Sequence, residues 1–407
     1  MAQCTGKVER NTKGPGWLGL VQNGEPFRLL FPVGVLLGLY GVAMWPLHIW
    51  AGAAMYPGQF HARIMIQGFL SAFVIGFLGT ALPRLLETPK VRLGESLAYA
   101  LGLCGAAGLH ASGRMPTGDL VFLITMGLFV GHLALRGAIF RKDVPPPGFV
   151  LVALGMACAL AGTGLLLVAQ EVPQALPDPL PVLGRLLLHQ GYLLFPVMGI
   201  GAFLLPRFFG LPSRQSFPAS TGLPPGWLGR AGLALFCGGV VLAGFVLEAF
   251  GEPRWGNGLR AGGVLFYFLR EVPAHRAGFG GGALALGLRL ALASIPIAYG
   301  LMAAWPERTS SFLHVLFISG FSLLTLIVAS RVVLGHSGRS ASFRAWLWPV
   351  LVMTGLVVLA MLTRVSADWM PQMRQSHYAY AAVAWMAGVA AWSVGILPGL
   401  ARPDEEE

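Results

Sequence analysis

The feature that most constrains this chain is a succession of twelve apolar stretches, each close to the ~20 residues that cross the hydrocarbon core of a bilayer. They fall at 29–50, 62–83, 94–112, 117–138, 148–169, 183–205, 227–250, 256–272, 283–304, 311–330, 345–363 and 377–398. The eighth is the weakest, short and interrupted by Arg260 and Arg270. No stretch between them is long and polar enough for an extramembrane domain. The predicted fold is therefore all-α, a polytopic bundle of about twelve transmembrane helices over residues 29–398. An N-terminal arm (1–28) and a short tail (399–407) complete the chain. The first apolar run is too long for a signal-peptide core and is expected to be retained.

Composition excludes the soluble alternatives. Only 11% of residues are Asp, Glu, Lys or Arg, against about a quarter in soluble domains, and mean hydropathy is +0.68. The net charge of +11 sits in short stretches between apolar runs, which suits contact with the headgroups of a lipid bilayer and not nucleic acid. Cys104, Cys158 and Cys237 stand singly in apolar runs and Cys4 lies in the arm, so no thiolate site or disulfide framework is implied.

Lys and Arg distribute unevenly between alternate loops. With the N-terminus placed in the cytoplasm, nineteen fall on that side. Eight fall opposite: Arg63, Arg114, Arg185, Arg254, Arg260, Arg308, Arg364 and Arg374. The bias predicts a multi-pass protein of the cytoplasmic (inner) membrane with both termini cytoplasmic. An internal repeat at an offset of 123 residues supports the span assignment. Gln67-Gly68-Phe69-Leu70 leads to Leu82-Pro83-Arg84, and Gln190-Gly191-Tyr192-Leu193 leads to Leu205-Pro206-Arg207.

Six of nine histidines (His48, His61, His110, His189, His314 and His377) fall near the outer ends of their spans. His189 lies 18 residues from Arg207 and His314 lies 17 from Arg331. At the helical rise both sit roughly 26 Å above the inner boundary, with His61 about a turn farther out. Imidazoles converging from separate helices at matched depth are what a haem iron or a copper ion requires. Arg185, one turn before His189, and Arg63, beside His61, are suited to haem propionates, which guanidinium groups bind bidentately. Arg308, six residues before His314, is a third such cation.

The chain resembles the NnrS family at several points. Phe60-His61-Ala62-Arg63-Ile64-Met65 followed by Gly68-Phe69 is similar to the family's span-two motif. Leu313-His314-Val315 leading to Ser330-Arg331-Val332-Val333-Leu334-Gly335-His336-Ser337-Gly338-Arg339 is similar to its most specific segment. Pro26-Phe27-Arg28, Leu188-His189 and Leu397-Pro398 with Arg402-Pro403 also fit. The resemblance implies twelve spans and a haem- and copper-containing membrane protein of nitric oxide metabolism and nitrosative stress, in denitrifying and pathogenic bacteria. It departs from the family at two places. Arg63 and Ile64 stand where members usually carry His and Glu, and Arg289 stands where they tend to carry His before an Ile-Pro. A protonated guanidinium is no metal ligand, so haem, of b type, is expected and stoichiometric copper is not.

The implied site comprises His61, His189 and His314 as metal ligands, with Arg63 and Arg185 as cofactor-binding cations. His336 is also a candidate metal ligand, but it lies 22 residues beyond His314, roughly 33 Å along one helix. Unless that helix breaks, it serves a separate site or a structural turn. The expected partner is nitric oxide, bound or reduced at a haem site in the periplasmic half. If it is reduced, the activity is that of a nitric oxide reductase-type oxidoreductase, with quinol or a redox partner protein as electron donor. Two other readings stay open, a non-catalytic haem electron-transfer or sensing subunit and a metal or haem transporter. Few acids lie in the spans, and Asp119 and Glu248 fall near span ends, which counts against a proton-coupled transporter.

Overall fold

In a bilayer a helix satisfies its own backbone, so the apolar runs become helices almost wherever the sequence places them. The computed structural model describes residues 16–403. Residues 1–15 of the arm, with Cys4, Lys7, Arg10 and Lys13, and 404–407 of the tail lie outside the described residues. Ten helices are long and apolar enough to span a membrane: α1 (Phe27–Ala51), α2 (His61–Leu85), α4 (Met115–Phe140), α5 (Phe149–Glu171), α6 (Pro179–Phe209), α7 (Trp227–Ala249), α9 (Gly282–Ala304), α10 (Pro306–Gly335), α11 (Trp348–Ser366) and α12 (Pro371–Ala401). Two further helices of 19 residues complete the alternation, α3 (Leu93–Ala111) and α8 (Pro253–Glu271). Each predicted span therefore has a helix. A short helix, Trp17–Gln22, precedes α1.

Start signals are local. α8, α10, α11 and α12 open with Pro253, Pro306, Pro349 and Pro371 in the first turn, where the missing N–H costs nothing. The α3–α4 and α7–α8 turns pass through Gly113 (φ 80°) and Gly251 (φ 94°), the left-handed conformation that glycine adopts without a Cβ penalty.

The helices form three four-helix units, α1–α4, α5–α8 and α9–α12. Within each, the last two helices pair as a hairpin, and the first packs on the second. Contacts of α4 with α5, α8 with α9 and α12 with α1 close the units into a ring. The second helix of each unit lines the interior. α2, α6 and α10 have 78%, 72% and 67% of their spanning stretch buried, against 33–56% for the other seven apolar spans. Each also contains a π-helical segment: Ile64–Leu70, Leu187–Gly191 and Val315–Ser322. Such insertions concentrate at functional sites.

The third segment exposes a third copy of the repeat. Gly320-Phe321 matches Gly68-Phe69 and Gly191-Tyr192, and Leu334-Gly335-His336 stands where Leu82-Pro83-Arg84 and Leu205-Pro206-Arg207 do. This copy is masked in the sequence, because Ser319 replaces glutamine and Gly335-His336 replaces Pro-Arg. Between α5 and α6 the backbones nearly touch. A Cβ on Gly199 would lie 2.4 Å from the Gly148 carbonyl oxygen, an approach that needs glycine on both helices.

Four stretches distant in sequence meet at the face where α1 begins. Arg28 is fully buried there. It donates to the carbonyls of Leu400 (2.6 Å), Arg402 (2.7 Å) and His336 (2.8 Å) and pairs with Glu25. Glu25 also takes Arg84 at 2.6 Å and the His336 ring at 2.9 Å. Burial alone would raise the Glu25 carboxyl, but the hydrogen bonds and charges of His336 and Arg28 outweigh it and draw it down to about 2.

Candidate functional site

A cavity of about 520 Å³ opens in the half of the bundle away from that face, and His61, His189 and His314 all line it. They come from α2, α6 and α10, one helix per unit, each at or beside a π segment. The walls are chiefly aromatic and aliphatic, with Trp45, Phe69, Phe317 and Trp385 prominent, and the volume is within the ~300–1,000 Å³ of small-molecule sites. Trp385 is fixed by donating Nε1–H to Ser322 Oγ at 3.0 Å.

Two of the three imidazoles are oriented by the main chain. His61 Nδ1 lies 2.8 Å from the Gly41 carbonyl oxygen, and His314 Nδ1 lies 2.8 Å from that of Ser310. A carbonyl only accepts, so each Nδ1 carries the proton and each Nε2 keeps its lone pair. This is the tautomer and the support that a metal-ligating histidine needs. Among the described residues no three His, Cys, Asp or Glu side chains gather closely enough to hold one ion. The three imidazoles line one cavity without forming such a group.

The cation that faces this cavity is Arg364, which the sequence reading left in the loop count. It lies 4.2 Å from the Tyr378 ring centroid, also in the wall, and donates to Asp368 at 3.2 Å. Asp368 additionally accepts from Ser311 Oγ and from the Tyr378 hydroxyl at 3.1 Å. Burial pushes its carboxyl up, but the Ser311 bond and the Arg364 charge hold it below the usual carboxylate range. Nothing local marked Arg364, because an arginine at a span end is ordinary.

Arg63 and Arg185 do not line this cavity, although both charges act on His189. Arg63 reaches away to Asp119, bonding it through Nε at 3.1 Å and Nη2 at 3.1 Å. Asp119 is wholly buried and also accepts from Gln67 (2.8 Å) and Gln170 (2.9 Å). His110 Nε2 binds Gln67 Oε1 at 2.7 Å. This acid, read from the sequence as lying near a span end, is thus the centre of a polar network joining α2, α3, α4 and α5. Arg185 is exposed. Arg308 donates to the Asp368 carbonyl and stacks 4.4 Å from the Trp369 ring centroid.

A second network explains why α8 reads as the weakest span. Arg260 is fully buried, pairs with Glu248 of α7, and donates to Gln190 of α6 at 3.1 Å. Its polarity is turned inward, so window hydropathy undervalues the helix. Gln67 and Gln190, equivalent in the repeat, each receive such a group.

His336 is at the far end of α10 from His314, in the Glu25–Arg28 cluster. His48, His110 and His377 do not line the cavity; their rings bond the Ala53 carbonyl, Gln67 and Ser366 Oγ. Arg289 points to the carbonyls of Ala274 and Gly278 in the α8–α9 connection. The chain matches no curated protein. The family model described as NnrS protein matches residues 23–404, nearly the whole length, and the chain belongs to the NnrS family.

Proposed function

We propose that this protein is a haem protein of the cytoplasmic membrane that serves the nitric oxide and nitrosative-stress response, binding or reducing nitric oxide at the three-histidine cavity. Membership of the NnrS family supports a role in the nitric oxide response. The observation that carries the haem reading is the cavity itself, with imidazoles from three helices, two of them turned by carbonyls so that Nε2 is free. His61, His189 and His314 would hold the haem iron, and Arg364, the cation in the cavity wall, would be available to its carboxylates. A bound haem supplies reversible ligation of a diatomic gas and one-electron chemistry. The protein's part is to set the imidazole tautomers, exclude water with Trp45, Phe69 and Trp385, and admit an apolar gas from the lipid. The excess of Lys and Arg beside the amino-terminal face supports an orientation with the cavity towards the periplasm.

Reduced-minus-oxidised spectra of the purified protein, with and without nitric oxide, test the reading. Haem bands that shift with the gas are expected, and His189→Ala or His314→Ala should lower haem content or move the Soret band. His132→Ala should not, since its ring bonds Tyr99 at 2.7 Å away from the cavity. If imidazoles hold the haem and leave no place for the gas, the second reading follows, a non-catalytic electron-transfer or sensing subunit. A six-coordinate spectrum indifferent to nitric oxide would select it, and absence of haem would sink both.

A further inference from the structure

Below the three-histidine cavity α2, α6 and α10 line a second space of about 100 Å³. Leu70 belongs to the walls of both. On α6 the second space begins at Leu193, one turn beyond His189, and continues past Val197 to Leu204, roughly 17 Å along the helix. On α2 and α10 it follows Phe77 and Val328 in the same direction. Its wall has one side chain with a polar atom, the hydroxyl of Thr325. A buried water needs two to four polar partners, and an apolar space of this order stays dry and takes benzene- or xenon-like guests. The chain has also kept this space open. Phe31, Phe73 and Phe321 are packed at its edge with 3% exposure or less, yet leave the centre unfilled, where close packing would have returned dispersion energy.

We propose that this central space is a second binding site, for small apolar gas molecules, in line with the three-histidine cavity. Its capacity for an apolar guest is independent of haem. Its role as a holding site for nitric oxide, raising the local gas concentration next to His189, rests on the proposed function. A diatomic gas crosses the Leu70 boundary without shedding hydrogen bonds, whereas water or a hydrated ion would lose its shell there. The Leu70 boundary thus admits apolar molecules to the second space and holds water and ions back.

Crystals of the full chain pressurised with xenon decide the first part. Xenon is expected between Leu193, Val197 and Val328, and Val197→Phe should abolish it there while any xenon beside Trp385 persists. The wild-type map decides even if Val197→Phe fails to fold. Ordered water, a lipid acyl chain or no density at that position under xenon would overturn the site. The second part is read by flash photolysis of the nitric oxide complex. Rapid rebinding from within the protein should fall severalfold in Val197→Phe with the haem spectrum unchanged, and an unaltered rebinding fraction would refute the holding role. Protein without haem but with xenon in place would end the proposed function and leave the apolar site standing.

Discussion

Replacing Arg63 with Gln should expose the cost of a carboxylate sealed inside the bundle. Asp119 has no exposed surface and is held by Arg63 at 3.1 Å, Gln67 at 2.8 Å and Gln170 at 2.9 Å. Without the guanidinium, two amides and the His110 ring at 3.8 Å remain to face a full negative charge in a low-dielectric interior. Breaking such a buried pair from one side costs about 3–5 kcal/mol. With an unfolding entropy of about 2.1 cal/mol/K per residue, a chain of 407 residues should lose about 4–6 °C in Tm. The double variant Arg63→Gln/Asp119→Asn removes both charges, keeps amide hydrogen bonding in the network, and should regain most of the loss. Thermal unfolding in one detergent, followed by tryptophan fluorescence, reads all three variants, and haem content is measured beside it. A double variant as unstable as the single one would refute the pairing argument. A double variant that is stable but has lost its haem would assign Arg63 to the cofactor site.

Gly199→Ala should strongly reduce folded yield, because the new Cβ would lie 2.4 Å from the Gly148 carbonyl oxygen and force α5 from α6; Gly164→Ala, with open space around it, is the control, and equal yields would refute the close crossing. Glu25, drawn from 4.5 to about 2, has a folded value below its unfolded one. The stability it contributes is present above about pH 4.5 and is lost as pH falls towards 2. Melts across that window should therefore fall less steeply in Glu25→Gln than in the parent, and parallel curves would refute the assignment. Arg364→Gln should lower haem retention while His336→Ala alters stability alone; a haem spectrum that follows His336 and ignores Arg364 would reverse the two roles.

The helices were legible in the sequence because a membrane leaves the backbone almost no alternative, and residues at 3.6-residue spacing settle their hydrogen bonds within one stretch of chain. The family motifs likewise directed attention to His61, His189 and His314. Which groups meet across helices was not legible in the same way. Arg63 turned to Asp119, 56 residues onward, and Arg28 reached carbonyls 372 and 374 residues away. His110 and Arg260 turned inward to Gln67 and Gln190, and Arg364 lines the cavity beside the three histidines. Each outcome depends on helix rotation and on the glycine-controlled distance between backbones, which are set by packing over the whole ring and not by neighbours in sequence. The sequence by itself determined a multi-pass helical protein of the NnrS type; only the tertiary structure decided that three of its imidazoles share one cavity and that His336 belongs to the opposite end.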